Sequence, residues 1–365
     1  STPADRHTLS RLGSPQRQAE YLARFRADSI VADAEALRER LLGDAPWTAL
    51  CQSFGGFCVW TYLSHSPHGL AAAFVTGGVP PMSAHPDDVY RATYRAVARR
   101  VADLDAAHPE VRVELARVAL HLERHEERLP TGERLTVARL QEVGQALGGA
   151  GGVDLLAHLA DDAWAVPGRA LSDTFLAGVN DVVSFARQPM YAVLHEACYA
   201  EGGLVTGWSA QRVRQELGVP EAQVPAQAAD GAGPAGEVLP LTGEMIYPAT
   251  VRSDPALAPL APAAELLAQR PWHEPLYSPS RLEQCTVPVA AQVYTQDFYV
   301  DPGLSRATAA RTGSAPGARP VRVVEDTVHH HDGLRRDGAE ILEGLARELG
   351  DAVPAARPAA EGAAA

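Results

Sequence analysis

A chain of 365 residues, 46% apolar and 21% charged, carries enough hydrophobic material for one large domain with an insertion or for two domains. Its formal net charge of −13 argues against a nucleic-acid surface. No apolar run nears the roughly 20 residues of a membrane helix, and no charged-then-apolar signal segment opens the chain. The expectation is a cytoplasmic protein with no nucleic-acid or membrane partner. All 32 basic residues are arginine, and without a lysine amine Schiff-base, pyridoxal-phosphate and P-loop chemistry fall away. Cys51, Cys58, Cys198 and Cys285 form no C-x-x-C pair, and read as reduced, mostly buried thiols with no metal and no cofactor.

Pro15 to Leu42 has helical spacing of Tyr21, Phe25, Ile30, Val31, Ala34 and Leu37, and stops at Gly43 and Pro46. Thr48-Ala49-Leu50-Cys51 predicts a short buried strand, Phe57 to Leu63 a helix, and Ala72 to Thr76 a second strand closed by Gly77-Gly78. Helix, strand, helix, strand with short connections is a parallel α/β sheet. From His85 the texture turns helical, over Asp87–Ala106, Pro109–Leu129, Thr136–Leu147, Ser172–Tyr199 and Ser209–Leu217, with no clear strand between them. Ala226 to Glu237 is low-complexity and predicts a mobile loop. Sheet texture returns at Val287–Tyr294 and Val321–Val324, separated by a helix near Leu304–Arg311. Arg335–Leu349 predicts a further helix, and Asp351–Ala365 a disordered tail. The domain reading is an α/β core over residues 1–84 and 251–350, with a helical cap over 85–250.

Cys51-Gln52-Ser53-Phe54-Gly55, between a strand and a helix, has the small-x-Ser-x-Gly form of a nucleophile elbow. Small residues at Cys51 and Gly55 let the strand and helix backbones nearly touch, and Gln52 and Phe54 are expected to point away and to be free to vary. The turn presents the Ser53 hydroxyl and aims the Phe54 backbone N–H at an oxyanion. In open α/β sheets the active groups gather beyond the carboxyl ends of the strands. Three such ends here carry Ser53, Asp297 and a histidine of the 329–331 run, in the chain order Ser, Asp, His. Asp301 and Asp326 rival Asp297, and position alone does not choose among His329, His330 and His331.

Several segments together resemble the proline iminopeptidase family of α/β-hydrolases. They are G-S-P-Q-R-Q-A-E-Y-L-A-R-F-R-A-D-S-I-V at 13–31, Q-S-F-G-G-F-C at 52–58 and H-P-D-D-V-Y-R-A-T-Y-R at 85–95. Y-A-V-L-H-E-A-C-Y-A at 191–200, T-G-E-M-I-Y-P at 242–248 and H-D-G-L-R-R-D-G at 331–338 complete the set. Relatives carry H-N-G-L-R at the catalytic histidine, which selects His331, and an acid where Asp297 stands. The resemblance implies an α/β-hydrolase core with an inserted helical cap and release of N-terminal proline from peptides. Ser53 would be the nucleophile, His331 its base and Asp297 the orienting acid. Carboxylates in the cap would bind the prolyl ammonium. Glu196 and Glu244, each set among apolar residues, are the candidates, with Tyr199 and Tyr247 beside them as substrate-binding residues. Another esterase or amidase on the same triad, or a non-catalytic binding protein, are the alternative readings. Family members also carry H-G-G-P-G and D-Q-R-G-x-G-x-S segments upstream, which this chain lacks. It is therefore expected to be a fragment short of its first strands and one oxyanion donor, and poorly active or inactive as it stands.

Overall fold

Every residue of Val289–Tyr294 is buried, as befits the interior of a parallel sheet covered on both faces. A computed structural model describes residue 9, residues 11–222 and residues 239–352. Four strands, β1 (Trp47–Gln52), β2 (Leu70–Thr76), β3 (Val289–Tyr294) and β4 (Arg322–Asp326), lie side by side in that order, all parallel. Their ends fall within two residues of the sequence expectation. Successive residues point to opposite faces. Ala73 and Ala291 join Val59, Trp60 and Leu63 of the Phe54–His65 helix on one face. Ala72 and Ala290 meet Ile341, Leu345 and Leu349 of the Gly338–Leu349 helix on the other. Trp60, fully buried, also donates its indole N–H to Thr312 Oγ1 at 3.0 Å, so its polar edge is satisfied where its ring is packed. β1 is an edge strand, and its Leu50 is 47% exposed.

Above the strand ends sits a helical layer with its own core, built on Tyr90, Leu104, Leu115, Val143, Phe175 and Met245 and joined by Phe298 from the loop after β3. A third cluster packs Leu22 against Ala192, Ile246, Leu260 and Leu267, so it draws on segments either side of residues 84 and 250. At the centre of the helical layer Arg139, 2% exposed, pairs with Glu133 at 3.0 Å, with Asp254 at 3.2 Å and with Glu142. Its Nη2 also donates to the Val183 carbonyl at 2.6 Å. Burial alone would lower the pKa of this guanidinium, but the three carboxylates hold it above the ordinary value.

Several long helices expected from spacing are shorter or broken. Pro15 to Leu42 is two helices, Pro15–Leu22 and Ala27–Leu42. The break leaves Arg26 extended and buried, with its guanidinium donating to the Ala200 carbonyl. Pro109 to Leu129 narrows to Val111–Arg124, because Glu127–Arg128 pairs with Arg134–Leu135 in a ribbon. A second ribbon joins Trp164–Val166 to Ala170–Leu171, so short strands do lie within the helical region. Ser172 to Tyr199 divides into Asp173–Val183, Pro189–Leu194 and a 3₁₀ turn, with Pro189 opening the second helix. Thr136 to Leu147 starts as helix and finishes as a 3₁₀ stretch, and the Gly152–Asp161 helix was not foreseen. The loop expected at Ala226–Glu237 lies outside the described residues. So does the expected tail, apart from Asp351 and Ala352, which form a 3₁₀ turn with Gly350.

Candidate active site

Ser53 directly follows β1 and adopts φ 54° and ψ −130°, a region that side chains other than glycine avoid. The conformation is held from both sides. Ser53 N–H donates to the Thr76 carbonyl at 3.1 Å, and Gly56 N–H donates to the Ser53 carbonyl at 2.8 Å. The helix can sit this close only because Gly56 has no side chain: a Cβ there would lie 2.2 Å from the Gly78 carbonyl oxygen. A Cβ on Gly55 would meet Cys51 Cβ at 3.3 Å, the near-contact of strand and helix that the motif requires. Phe54 is the first residue of the helix, so its N–H has no intrahelical acceptor and faces outward at the positive end of the helix.

Asp297 and His331 come from the loops after β3 and β4. Asp297 is 2% exposed, and its Oδ1 accepts from the Tyr299 and Val300 N–H groups at 2.9 and 3.0 Å. His331 Nδ1 lies 2.9 Å from Asp297 Oδ2 and 3.1 Å from Oδ1. The rivals are occupied elsewhere. Asp301 caps the Pro302–Arg311 helix through Leu304 N–H, and Asp326 holds His329, whose other ring nitrogen meets Asp337. His330 is half buried and its Nδ1 has no partner; burial pushes its pKa down. Gln52, expected to be free to vary, donates instead to the His331 carbonyl at 2.9 Å, tying the elbow strand to the histidine loop. Tyr299 sets its ring 5.0 Å from that of His331 and donates its hydroxyl to the Gln145 carbonyl at 3.0 Å. It also fills the space over Gly148, where a Cβ would fall 2.0 Å from its Cζ.

Ser53 and His331 line one cavity of about 660 Å³ together with Gln145, Gln188, Glu244, Asp332 and Arg335. No hydrogen bond joins the two side chains among the described residues; serine–histidine contacts of this kind tighten when substrate is bound. Burial by itself would depress the His331 pKa, but the charge and hydrogen bond of Asp297, with the charges of Glu244 and Asp332, raise it above the ordinary value. A base with a raised pKa stays protonated, and so idle, to higher pH. Asp332→Asn removes one of the three negative charges, and the acid limb of the kcat/KM profile is expected to move to lower pH. An unmoved limb would show that Asp332 does not act on the imidazole.

A second, smaller cavity of about 260 Å³ also reaches Ser53, lined by Phe54, Phe57, Met190, Leu194 and Tyr199. Here Phe54 is again not free to vary, since its ring forms part of the wall. Glu244 borders both cavities. Its Oε1 accepts from the Tyr191 hydroxyl, and its Oε2 lies 3.6 Å from His195 Nε2. Burial raises the pKa of this carboxyl, but His195, Tyr191 and His331 outweigh it and hold the group below the ordinary carboxylate value. His195, whose Nδ1 meets the Tyr90 hydroxyl at 2.9 Å, was missed in the sequence. The only available signal was its place one residue before Glu196.

Two of the expected binding residues are elsewhere. Glu196 is buried and turned towards the Ser209–Glu216 helix, where its Oε1 accepts from Ala210 N–H at 2.9 Å. Burial raises its pKa, partly offset by the Ala210 and Ser209 N–H groups. It borders neither cavity at Ser53. Tyr247 is 1% exposed, and its hydroxyl meets that of Tyr94 at 2.9 Å inside the core of the helical layer. The physical reason is the same for both: a polar group among apolar neighbours was satisfied by a helix end or a partner hydroxyl rather than by substrate. Among the described residues no cluster of histidine, cysteine, aspartate or glutamate could hold a metal ion. Nor is any helix there long and apolar enough to cross a membrane.

A parallel sheet with an elbow serine, and an acid and a histidine on the loops after later strands, defines an α/β-hydrolase, and the model of the alpha/beta hydrolase fold matches residues 7–175. A proline iminopeptidase from Aeromonas sobria is 43% identical over 347 residues, covering 95% of this chain and 77% of that protein. The proline iminopeptidase aneH of Aspergillus aculeatus is 30% identical over 358 residues, covering 94% of this chain and 74% of its own. The chain belongs to the proline iminopeptidase family, serine aminopeptidases on the α/β-hydrolase fold. Among solved structures, an acetylester hydrolase from Corynebacterium glutamicum aligns over 90% of this chain and 66% of that one, at 14% identity and a TM-score of 0.32, too loose a likeness to bear on the site.

Proposed function

We propose that this chain releases proline from the N-terminus of peptides through an acyl-enzyme on Ser53. The observation that carries the reading is Glu244, a carboxylate kept ionised at the rim of an apolar cavity beside the elbow serine. A pyrrolidine ring suits the 260 Å³ cavity in size and polarity. Its ring nitrogen, protonated at neutral pH, then comes to Glu244, a charge-assisted contact that also excludes peptides lacking a free N-terminus. With the ammonium anchored, the carbonyl of the same residue is the first to reach Ser53.

His331 takes the Ser53 proton as the hydroxyl attacks, while Asp297 holds the imidazole with Nε2 towards the serine and stabilises the cation formed. The Phe54 N–H receives the negative charge on the carbonyl oxygen. Collapse of the tetrahedral intermediate breaks the C–N bond, and His331 gives its proton to the departing amine. Water, activated by His331, then cleaves the prolyl ester and restores Ser53.

Glu244→Gln keeps the shape and the Tyr191 contact but removes the charge. Its kcat/KM on proline-p-nitroanilide is expected to fall about 10- to 100-fold, the worth of a hydrogen bond to a charged group, while hydrolysis of p-nitrophenyl acetate changes little. Equal loss on both substrates would refute the role of Glu244. Labelling of Ser53 by a fluorophosphonate, measured in parallel, separates an assembled triad from the ability to release proline.

A further inference from the structure

The larger cavity receives whatever leaves when the prolyl bond breaks, and the proposed function does not say what that is. The walls include uncharged amides from Gln52, Gln145 and Gln188. Two charged residues stand out, Asp332 and Arg335, three positions apart at the start of the short Gly333–Arg336 turn of helix. Asp332 accepts from Ala150 N–H at 3.3 Å through Oδ2, and its Oδ1 is buried without a partner. Among the described residues Arg335 has neither a hydrogen-bonded nor an ion-paired side chain. Most of the other arginines near an acid are engaged: Arg306 with Glu325, Arg311 with Glu283, Arg91 with Glu216. Among the described residues Arg335 is the one guanidinium on the wall of this cavity.

We infer that Arg335 reads the free α-carboxylate of a short leaving group, so that dipeptides and tripeptides are preferred over long or amidated chains. The inference rests on the proposed release of N-terminal proline. In a proline dipeptide the scissile nitrogen and the terminal carboxylate belong to one residue, so the two are only a few ångströms apart. Arg335 shares this cavity with the serine and the histidine, and its fork matches a carboxylate with two parallel hydrogen bonds. Asp332 adds the opposite sign on the same turn. The released amino acid is a zwitterion, with its new ammonium next to His331, and the two charged side chains present the complementary pair. Glu244, the other acid on the wall, is committed to the ammonium at the opposite end of the substrate. A long peptide carries its carboxylate beyond this wall, and gains nothing from Arg335.

The test compares prolyl-alanine with prolyl-alaninamide in the wild type and in Arg335→Gln, taking the ratio of the two kcat/KM values for each protein. The ratio is expected to fall about two- to fivefold in the variant, the range for an exposed ion pair. The fall should come mainly through KM for the dipeptide. Arg335→Lys, which keeps the charge but not the fork, should fall between the two. A ratio that is the same in all three proteins overturns the inference. Protection of Ser53 from a fluorophosphonate by alanine, compared with alaninamide, reads the same preference without turnover; equal protection in the wild type likewise overturns it. Absence of proline release from both substrates would instead count against the proposed function, so the two failures are distinct.

Discussion

Ser53→Ala is expected to lower proline release by about 10⁵–10⁶-fold, the scale on which a triad serine acts when its partners are intact. The loss should appear in kcat, since the apolar cavity and Glu244 still hold the substrate. His331→Ala should cost about as much, and the double variant little more, because groups acting as one unit are not additive. Losses that multiplied would mean that Ser53 and His331 work independently, and the assignment of His331 as the base of Ser53 would fail. Alanine keeps the Cβ that makes this backbone conformation strained, so folding stability is expected to change little. Urea unfolding of the variant checks that its inactivity is chemical.

Arg139→Met carries the largest expected effect on stability. It leaves Glu133, Glu142 and Asp254 facing one another in the middle of the helical layer with no cation between them. Breaking one side of a buried ionic cluster costs about 3–5 kcal/mol, to be read from the shift in urea midpoint at neutral pH. The pH dependence separates this cause from a simple loss of packing. Carboxylates stranded in the interior have folded pKa values above their unfolded ones, so the folded state binds protons more readily, and the deficit should shrink as pH falls. A deficit constant with pH would assign the loss to shape alone.

How far the sequence could be read depended on whether a residue's partners are local. The elbow is local: a short apolar run, a serine flanked by small residues and a helix explain Ser53, Gly55 and the strand before them within ten residues. The order of Ser53, Asp297 and His331 along the chain was legible because each follows a strand whose apolar run is plain. Choosing His331 over its two neighbours was not, since that choice is made by Asp297, 34 residues away. It came from the family resemblance. Glu196 and Glu244 looked alike in sequence, each an acid among apolar residues. What parts them is the Ala210 N–H on a later helix, which takes Glu196, and His195 with Tyr191, which hold Glu244 at the rim. Arg139 looked like any arginine on a helix, because its acids lie at −6, +3 and +115 positions in the chain. Gln52 was thought idle for the same reason, its partner being 279 residues distant.

The loop after β3 has two tasks. The Tyr299 and Val300 N–H groups brace Asp297, while the Tyr299 ring and hydroxyl are wedged into the helical layer at Gly148 and Gln145. Lifting that layer must either extract the phenol or drag the carboxylate's own supports with it. The orientation of the imidazole is thereby coupled to the seating of the helical layer.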